Sequence, residues 1–205
     1  MQHAQSVTFK PGGNATTEDA HRVHVYRLLA HYLSAPPSLA SLGIAAGLSA
    51  QPGTPLGDTV NLLADAARQT SVTAEADAYQ ALFIGLGRGI FVPYGSYYLT
   101  GFLHEKPLAR LRSDMSALGI ARNEEVSEPE DHISAVLEMM AGLIAGDFGS
   151  ASAEVQKRFF EAHVGSWAAH FFRDLSLDQT SAFYAALGAL GLRFLDIEES
   201  AFSLV

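Results

Sequence analysis

Apolar residues recur at three- and four-residue spacing along most of this chain, the pattern of helices that bury one face. Val25, Leu28, Leu29 and Tyr32 form the first such stripe. Thr16 or Thr17 offers its N-cap, and Glu18 and Asp19 sit in the first turn, where the helix dipole favours anions. The stripe ends ahead of Ala35-Pro36-Pro37-Ser38, because proline disfavours helix in the residue before it. A short helix is predicted over 39–48. "QPGTPLGD" then breaks the pattern, with Thr54 as a cap and Pro55 at the first helical position. Val60, Leu63, Ala64 and Ala67 carry the third helix. Thr73 is the expected cap of a fourth, which presents Tyr79, Leu82, Phe83 and Leu86.

Residues 87–102, "GRGIFVPYGSYYLTGF", lose the helical period and read as a glycine- and aromatic-rich structured loop. Helical periodicity returns near Pro107 and stops at Gly119, a favourable residue just past a helix end. The next stripe is Ile133, Val136, Leu137, Met140 and Ile144, ending at Gly146. Three further helices are predicted over 151–164, 167–175 and 178–202. Neither a strand nor an internal repeat is discernible. The expectation is an all-α, single-domain helical bundle over residues 16–205. Residues 1–15, with Pro11, Gly12, Gly13 and Asn14, read as a mobile arm.

Composition narrows the class. The chain has 205 residues, 48% hydrophobic and 17% charged, enough to build a substantial core. It has no cysteine, which removes disulfides, thiolate metal ligands and a thiol nucleophile. Lys+Arg number 13 against Asp+Glu 22, a net charge of −9, so no basic face for nucleic acid is expected. The first residues lack the apolar core of a secretory signal, and no run of about 18 apolar residues could span a bilayer. A cytoplasmic protein without stable membrane insertion is expected, with oligomeric state open.

The chemistry concentrates in "SEPEDHISAVLEMM", residues 127–140. Ser127 and Glu130 fit a capping box, Pro129 suits a first helical turn, and Asp131 complements the dipole. That pattern does not require both Asp131 and His132. As a hydrolytic pair they are poorly disposed, since adjacent helical residues point about 100° apart. His24 and His31, and His163 and His170, are seven apart, too far for a chelating pair, so no metal and no cofactor is expected. "GLGRG" follows a helix and lacks a Walker lysine, which argues against a phosphate cradle. "YGSYY" is not a nucleophile elbow.

Three blocks in order resemble the TorD/DmsD family of redox-enzyme maturation chaperones, to which NarJ-type nitrate reductase chaperones are related. "YQALFIGLGRGIFVPYGSYYLTG" is similar to the family's first block, at Tyr79, Leu82, Phe83, Pro93, Tyr94, Ser96 and Tyr98. "EPEDHI" is similar to its second, at Glu128, Pro129, Asp131 and His132. "QKRFFEAHVGSW" is similar to a third, at Gln156, Phe159, His163 and Trp167. The order and spacing match from about Asp19 to Leu195. One position departs: Gly95 follows the proline-tyrosine pair, where the family usually carries an acid.

The resemblance implies a helical chaperone with a hinge-like segment near residues 120–131, and no enzymatic activity. It implies binding of the precursor or apo-form of a molybdopterin-containing oxidoreductase, including its twin-arginine signal peptide, with assistance of cofactor insertion before export. Tyr79, Phe83, Pro93, Tyr94, Ser96, Tyr98, Glu128, Pro129, Asp131 and His132 are the implied binding residues. The acidic run Glu124, Glu125, Glu128, Glu130 and Asp131 suits a basic peptide end, and His132 would add pH sensitivity near neutrality. A nucleotide-dependent form of the same chaperone, and a hydrolase using Asp131 and His132, are the alternatives.

Overall fold

The computed structural model describes residues 16–85, 87–122 and 127–205. Among these, ten α-helices account for the architecture, joined by turns and no strand. The expected arm (1–15), Leu86 and Glu124 and Glu125 within the expected hinge lie outside the described residues.

α1 (Thr17–Ser34) starts at the expected cap: the Thr16 hydroxyl accepts from Asp19 N while the Asp19 carboxylate accepts from Thr16 N, a full capping box. α2 (Leu39–Ala46) and α3 (Pro55–Arg68) follow, α3 with Thr54 as cap and Pro55 at its first position. α4 (Val72–Tyr79) begins one residue before the Thr73 expected to cap it, because Ser71 takes that role and accepts from Ala74 N. It runs directly into a π turn (Gln80–Ile84), closed by Gly85 N donating to Gln80 O. The expected loop contains a six-residue helix, α5 (Gly95–Thr100). It is too short to show a period, and an external carboxylate supports its first turn.

α6 (Lys106–Ala117) stops with Gly119 at φ +71°, a left-handed conformation natural to glycine. α7 (Ile133–Ala145) is buried almost all round: Met139, Ala141 and Leu143 join the predicted stripe inside. It is therefore the central helix rather than a surface one. α8 (Ala153–Phe159) passes through a second π turn (Phe160–Gly165) to α9 (Ala168–Leu177). α10 (Ala182–Phe202) is capped by Ser181, three residues later than the sequence pattern indicates.

α1 packs along α7, and α10 packs against α9 and α3. The α9–α10 approach depends on Gly188: a Cβ there would lie 2.5 Å from Ser176 N. The core joins Tyr26, Leu29, Leu33, Leu137, Met140, Phe172 and Phe183, all essentially inaccessible. Each such side chain contributes about 1.5–3 kcal/mol by leaving water. Glu198 brings a charged group into it. Glu198, 1% exposed, accepts from Arg22 Nε at 2.7 Å, from its second nitrogen at 2.8 Å and from the Tyr26 hydroxyl at 2.9 Å.

Candidate functional site

The first two sequence blocks meet through their backbones. Gly95 N donates to Asp131 O and Ile133 N donates to Pro93 O, both at 2.8 Å, forming an antiparallel bridge between Tyr94 and His132. This bridge holds His132 extended (φ −63°, ψ 141°), so α7 cannot begin before Ile133. The predicted Ser127/Glu130 capping box is therefore not what starts the helix. His132 is the cap: its Nδ1 accepts from Ser134 N at 3.3 Å and lies 2.7 Å from the Ser134 hydroxyl. Glu130 instead faces α6, 2.8 Å from Arg112 and 3.4 Å from Arg122. Burial raises its carboxyl, but the Arg112 hydrogen bonds and the two guanidinium charges bring it below the ordinary value.

Asp131 has a different task. It is 4% exposed, and its Oδ2 accepts from Ser96 N at 2.7 Å, at the start of α5. The carboxylate thus replaces a cap that Tyr94, the residue before α5, cannot supply. Asp131 and His132 serve separate helices, so no acid–base pair for hydrolysis is assembled. The third block braces this junction. Trp167 donates from Nε1 to His163 O at 2.8 Å, and its indole lies 5.5 Å from Tyr98 between ring centroids. A Cβ on Gly95 would come within 3.0 Å of Trp167 Nε1. This chain's departure at Gly95 is thus tied to close packing of the indole.

Beside the bridge lies a cavity of about 280 Å³, lined by Ser34, Tyr79, Phe83, Ile84, Pro93, Tyr94, Glu128, Pro129, His132, Ser134 and Ala135. The π turn delivers Phe83 and Ile84 together, and Ile84 is half exposed although apolar. Tyr94 packs edge-on against His132, centroids 5.0 Å apart. The Tyr94 hydroxyl donates to the Glu128 carboxylate. Burial and then this contact hold the phenol above its ordinary pKa. Burial drives His132 down to about 4, against the opposing pull of Glu128 and Asp131. The imidazole is therefore neutral at pH 7, contrary to the expectation that its charge varies near neutrality. Because Nδ1 accepts from Ser134 N, the remaining proton resides on Nε2.

Seven of the sequence-predicted site residues line this cavity: Tyr79, Phe83, Pro93, Tyr94, Glu128, Pro129 and His132. Three lie behind it. Ser96 is buried in the first turn of α5, Asp131 caps that helix, and Tyr98 packs at a tilt on Trp167 and edge-on to Phe171. The predicted acidic run does not form one face. Glu130 and Asp131 are turned inward, Glu124 and Glu125 lie outside the described residues, and Glu128 stands exposed at the cavity. Sequence reasoning missed Ser34, Ile84, Ser134 and Ala135. Ile84 was within reach as the neighbour of Phe83, whereas Ser34 is brought in only by the packing of α1 on α7.

A larger groove of about 600 Å³ runs between α6 and α8, but its charges alternate, Arg158 against Asp114 and Glu161. The glycine-rich turn is likewise committed: Ile90 N and Phe91 N donate to Ala81 O and Leu82 O. Among the described residues there is no cluster of potential metal ligands and no helix long and apolar enough to cross a membrane.

Fold and site together define an all-α protein with a small apolar cleft and one carboxylate at its mouth. The family model described as nitrate reductase delta subunit matches residues 50–173, more than half of the chain. The chain is 30% identical over 203 residues to the chaperone protein TorD of Shewanella loihica, covering 88% of this chain and 92% of that one. It is 32% identical over 138 residues to a probable Tat proofreading chaperone DmsD of Haemophilus influenzae, covering 66% of this chain and 64% of that one. A crystal structure of a putative redox enzyme maturation protein from Archaeoglobus fulgidus shares the fold. Its TM-score is 0.57, at 21% identity, over 94% of this chain and 99% of that one. The chain belongs to the nitrate reductase delta subunit family, on its TorD/DmsD branch of redox-enzyme maturation chaperones. The named members are chaperones, not enzymes, and this chain is a chaperone of that kind.

Proposed function

We propose that this chaperone binds the precursor of a molybdopterin-containing oxidoreductase through its twin-arginine signal peptide, in the cytoplasm, and holds it until cofactor insertion precedes export. The observation that carries the reading is the pairing of apolar walls with a lone carboxylate. Phe83, Ile84 and Pro93 offer surface to an aliphatic stem, and Glu128 stands where its cationic head would arrive. At about 280 Å³ the cavity suits one long side chain rather than a whole peptide. The rest of the signal peptide would lie along the half-exposed Ile84 and Ile90. A relative named as a Tat proofreading chaperone supports the twin-arginine assignment.

Titration calorimetry with the leader of a neighbouring oxidoreductase gene, its double-lysine variant and a scrambled control tests the reading. Binding should favour arginine beyond what charge alone gives, since only a guanidinium forms a planar fork with a carboxylate. It should also weaken with salt, because exposed charges are screened over about 10 Å at 0.1 M. Equal affinity for all three peptides would remove the leader from the reading and leave the body of the client as the bound part.

A further inference from the structure

We infer that the three sequence blocks close around one internal water molecule, held between the Asp131 carboxylate and the Ser96 hydroxyl. The site is separate from the leader cavity and does not depend on the leader reading. Two observations carry it, one of unmet chemistry and one of space. Among the described residues three buried side-chain polar atoms have no hydrogen-bond partner: Asp131 Oδ1, Ser96 Oγ and the Tyr184 hydroxyl. The first two are neighbours, because Ser96 N donates to the other oxygen of the same carboxylate at 2.7 Å. They are nevertheless not bonded to each other. Buried polar groups in native proteins are nearly always paired, with protein or with ordered water.

The space lies beside Asp131. A small chamber is lined by Gly95 and Leu99 of the first block, Asp131 of the second, and Ala162, His163 and Trp167 of the third. At about 10 Å³, against about 280 Å³ for the leader cavity, it accommodates one water and nothing larger. Ser96 follows Gly95 directly, so its hydroxyl stands one residue from the chamber wall. One water answers both atoms. The carboxylate only accepts, so the water donates to Asp131 Oδ1, and the Ser96 hydroxyl can take either role toward it. The chamber shares Leu99, Pro107, Ala162 and His163 with the wider cleft beside α6, which gives the water a route to solvent. The three blocks thereby share one task in this chain: they wall a polar site that ties the start of α5 to the start of α7.

Ser96→Ala separates a bridged hydroxyl from a dry one by the sign of its effect. Removing a buried hydroxyl that has no partner should leave stability unchanged or raise it. Alanine is also the better helix former, which pushes the same way. Loss of a water bridge should instead lower the folded-to-unfolded ratio in urea titrations roughly three- to tenfold, the worth of one hydrogen bond. A crystal structure of the wild-type chain should show one ordered water about 3 Å from both Asp131 Oδ1 and Ser96 Oγ. An unchanged or raised ratio in Ser96→Ala overturns the bridge. So does a crystal structure in which the two side chains bond directly, or in which the chamber is empty.

Discussion

Two tyrosine–glutamate contacts in this molecule use the same chemistry for opposite ends. Tyr26 donates to Glu198 inside the bundle, and Arg22 completes the site with a two-nitrogen fork. Tyr94 donates to Glu128 at the surface, and no described residue adds a cation. At the first site every charge is answered within the chain. Burial and the Glu198 charge drive the Tyr26 phenol far above its ordinary pKa, so it stays a donor. The second site has the acceptor and the aromatic wall, and in the function proposed above its cation comes from the leader peptide. A carboxylate satisfied internally holds a fold together, whereas Glu128, exposed beside an apolar cleft, has only the Tyr94 hydroxyl as its partner among the described residues.

The largest expected effect tests the internal member. Arg22→Ala leaves Glu198 buried without its partner, which should cost about 3–5 kcal/mol. Chemical denaturation should show this as a lower midpoint, with leader affinity of the remaining folded protein unchanged. A loss below about 1 kcal/mol would mean that Glu198 is not held as a charge.

Next comes the pH dependence beside the surface member. His132 has a folded pKa of about 4 against an unfolded value near 6.5. Below 6.5 the unfolded chain binds the proton first, so stability is full above that pH and declines as pH falls toward 4. The loss amounts to about 3 kcal/mol. Urea midpoints from pH 7.5 to 4 should fall in wild type and fall less in His132→Asn, whose side chain has no titrating group. Equal slopes would place the acid sensitivity elsewhere.

Asp131→Asn keeps the shape of the α5 cap and removes its charge. About 0.3–1 kcal/mol should be lost, the worth of a negative charge at a helix N-terminus. Hydrogen exchange at Ser96 N should quicken, and exchange in α1 should not. Glu128→Gln should have the smallest effect on stability, within about 0.5 kcal/mol by thermal melting, as for an ordinary surface substitution. Arginine-leader affinity should nevertheless fall. A large stability loss would make the surface contact structural and erase the contrast with Glu198.

Much of the fold was legible because helices declare themselves locally. Thr16, Thr54 and Gly146 begin or end helices where the pattern places them. The misplaced boundaries share a cause. α4 takes Ser71 as its cap, two residues before the expected Thr73, and α10 is capped by Ser181 within the expected 178–202 span, since several adjacent residues can cap and packing chooses among them. α7 starts at Ile133 because Tyr94 bridges His132 in an extended conformation, and Tyr94 lies 38 positions earlier in the chain.

The sequence by itself determined the all-α class, the order of the helices and the family, because period, caps and motif order are properties of short stretches. Only the tertiary structure decided which acids face inward. Glu130 and Asp131 look alike beside Glu128 in the string "EPED", yet Arg112 and Ser96 draw the first two into the molecule. A carboxylate's role depends on what lies within about 3 Å of it. Those neighbours come from helices far away in the chain, where no local pattern can announce them.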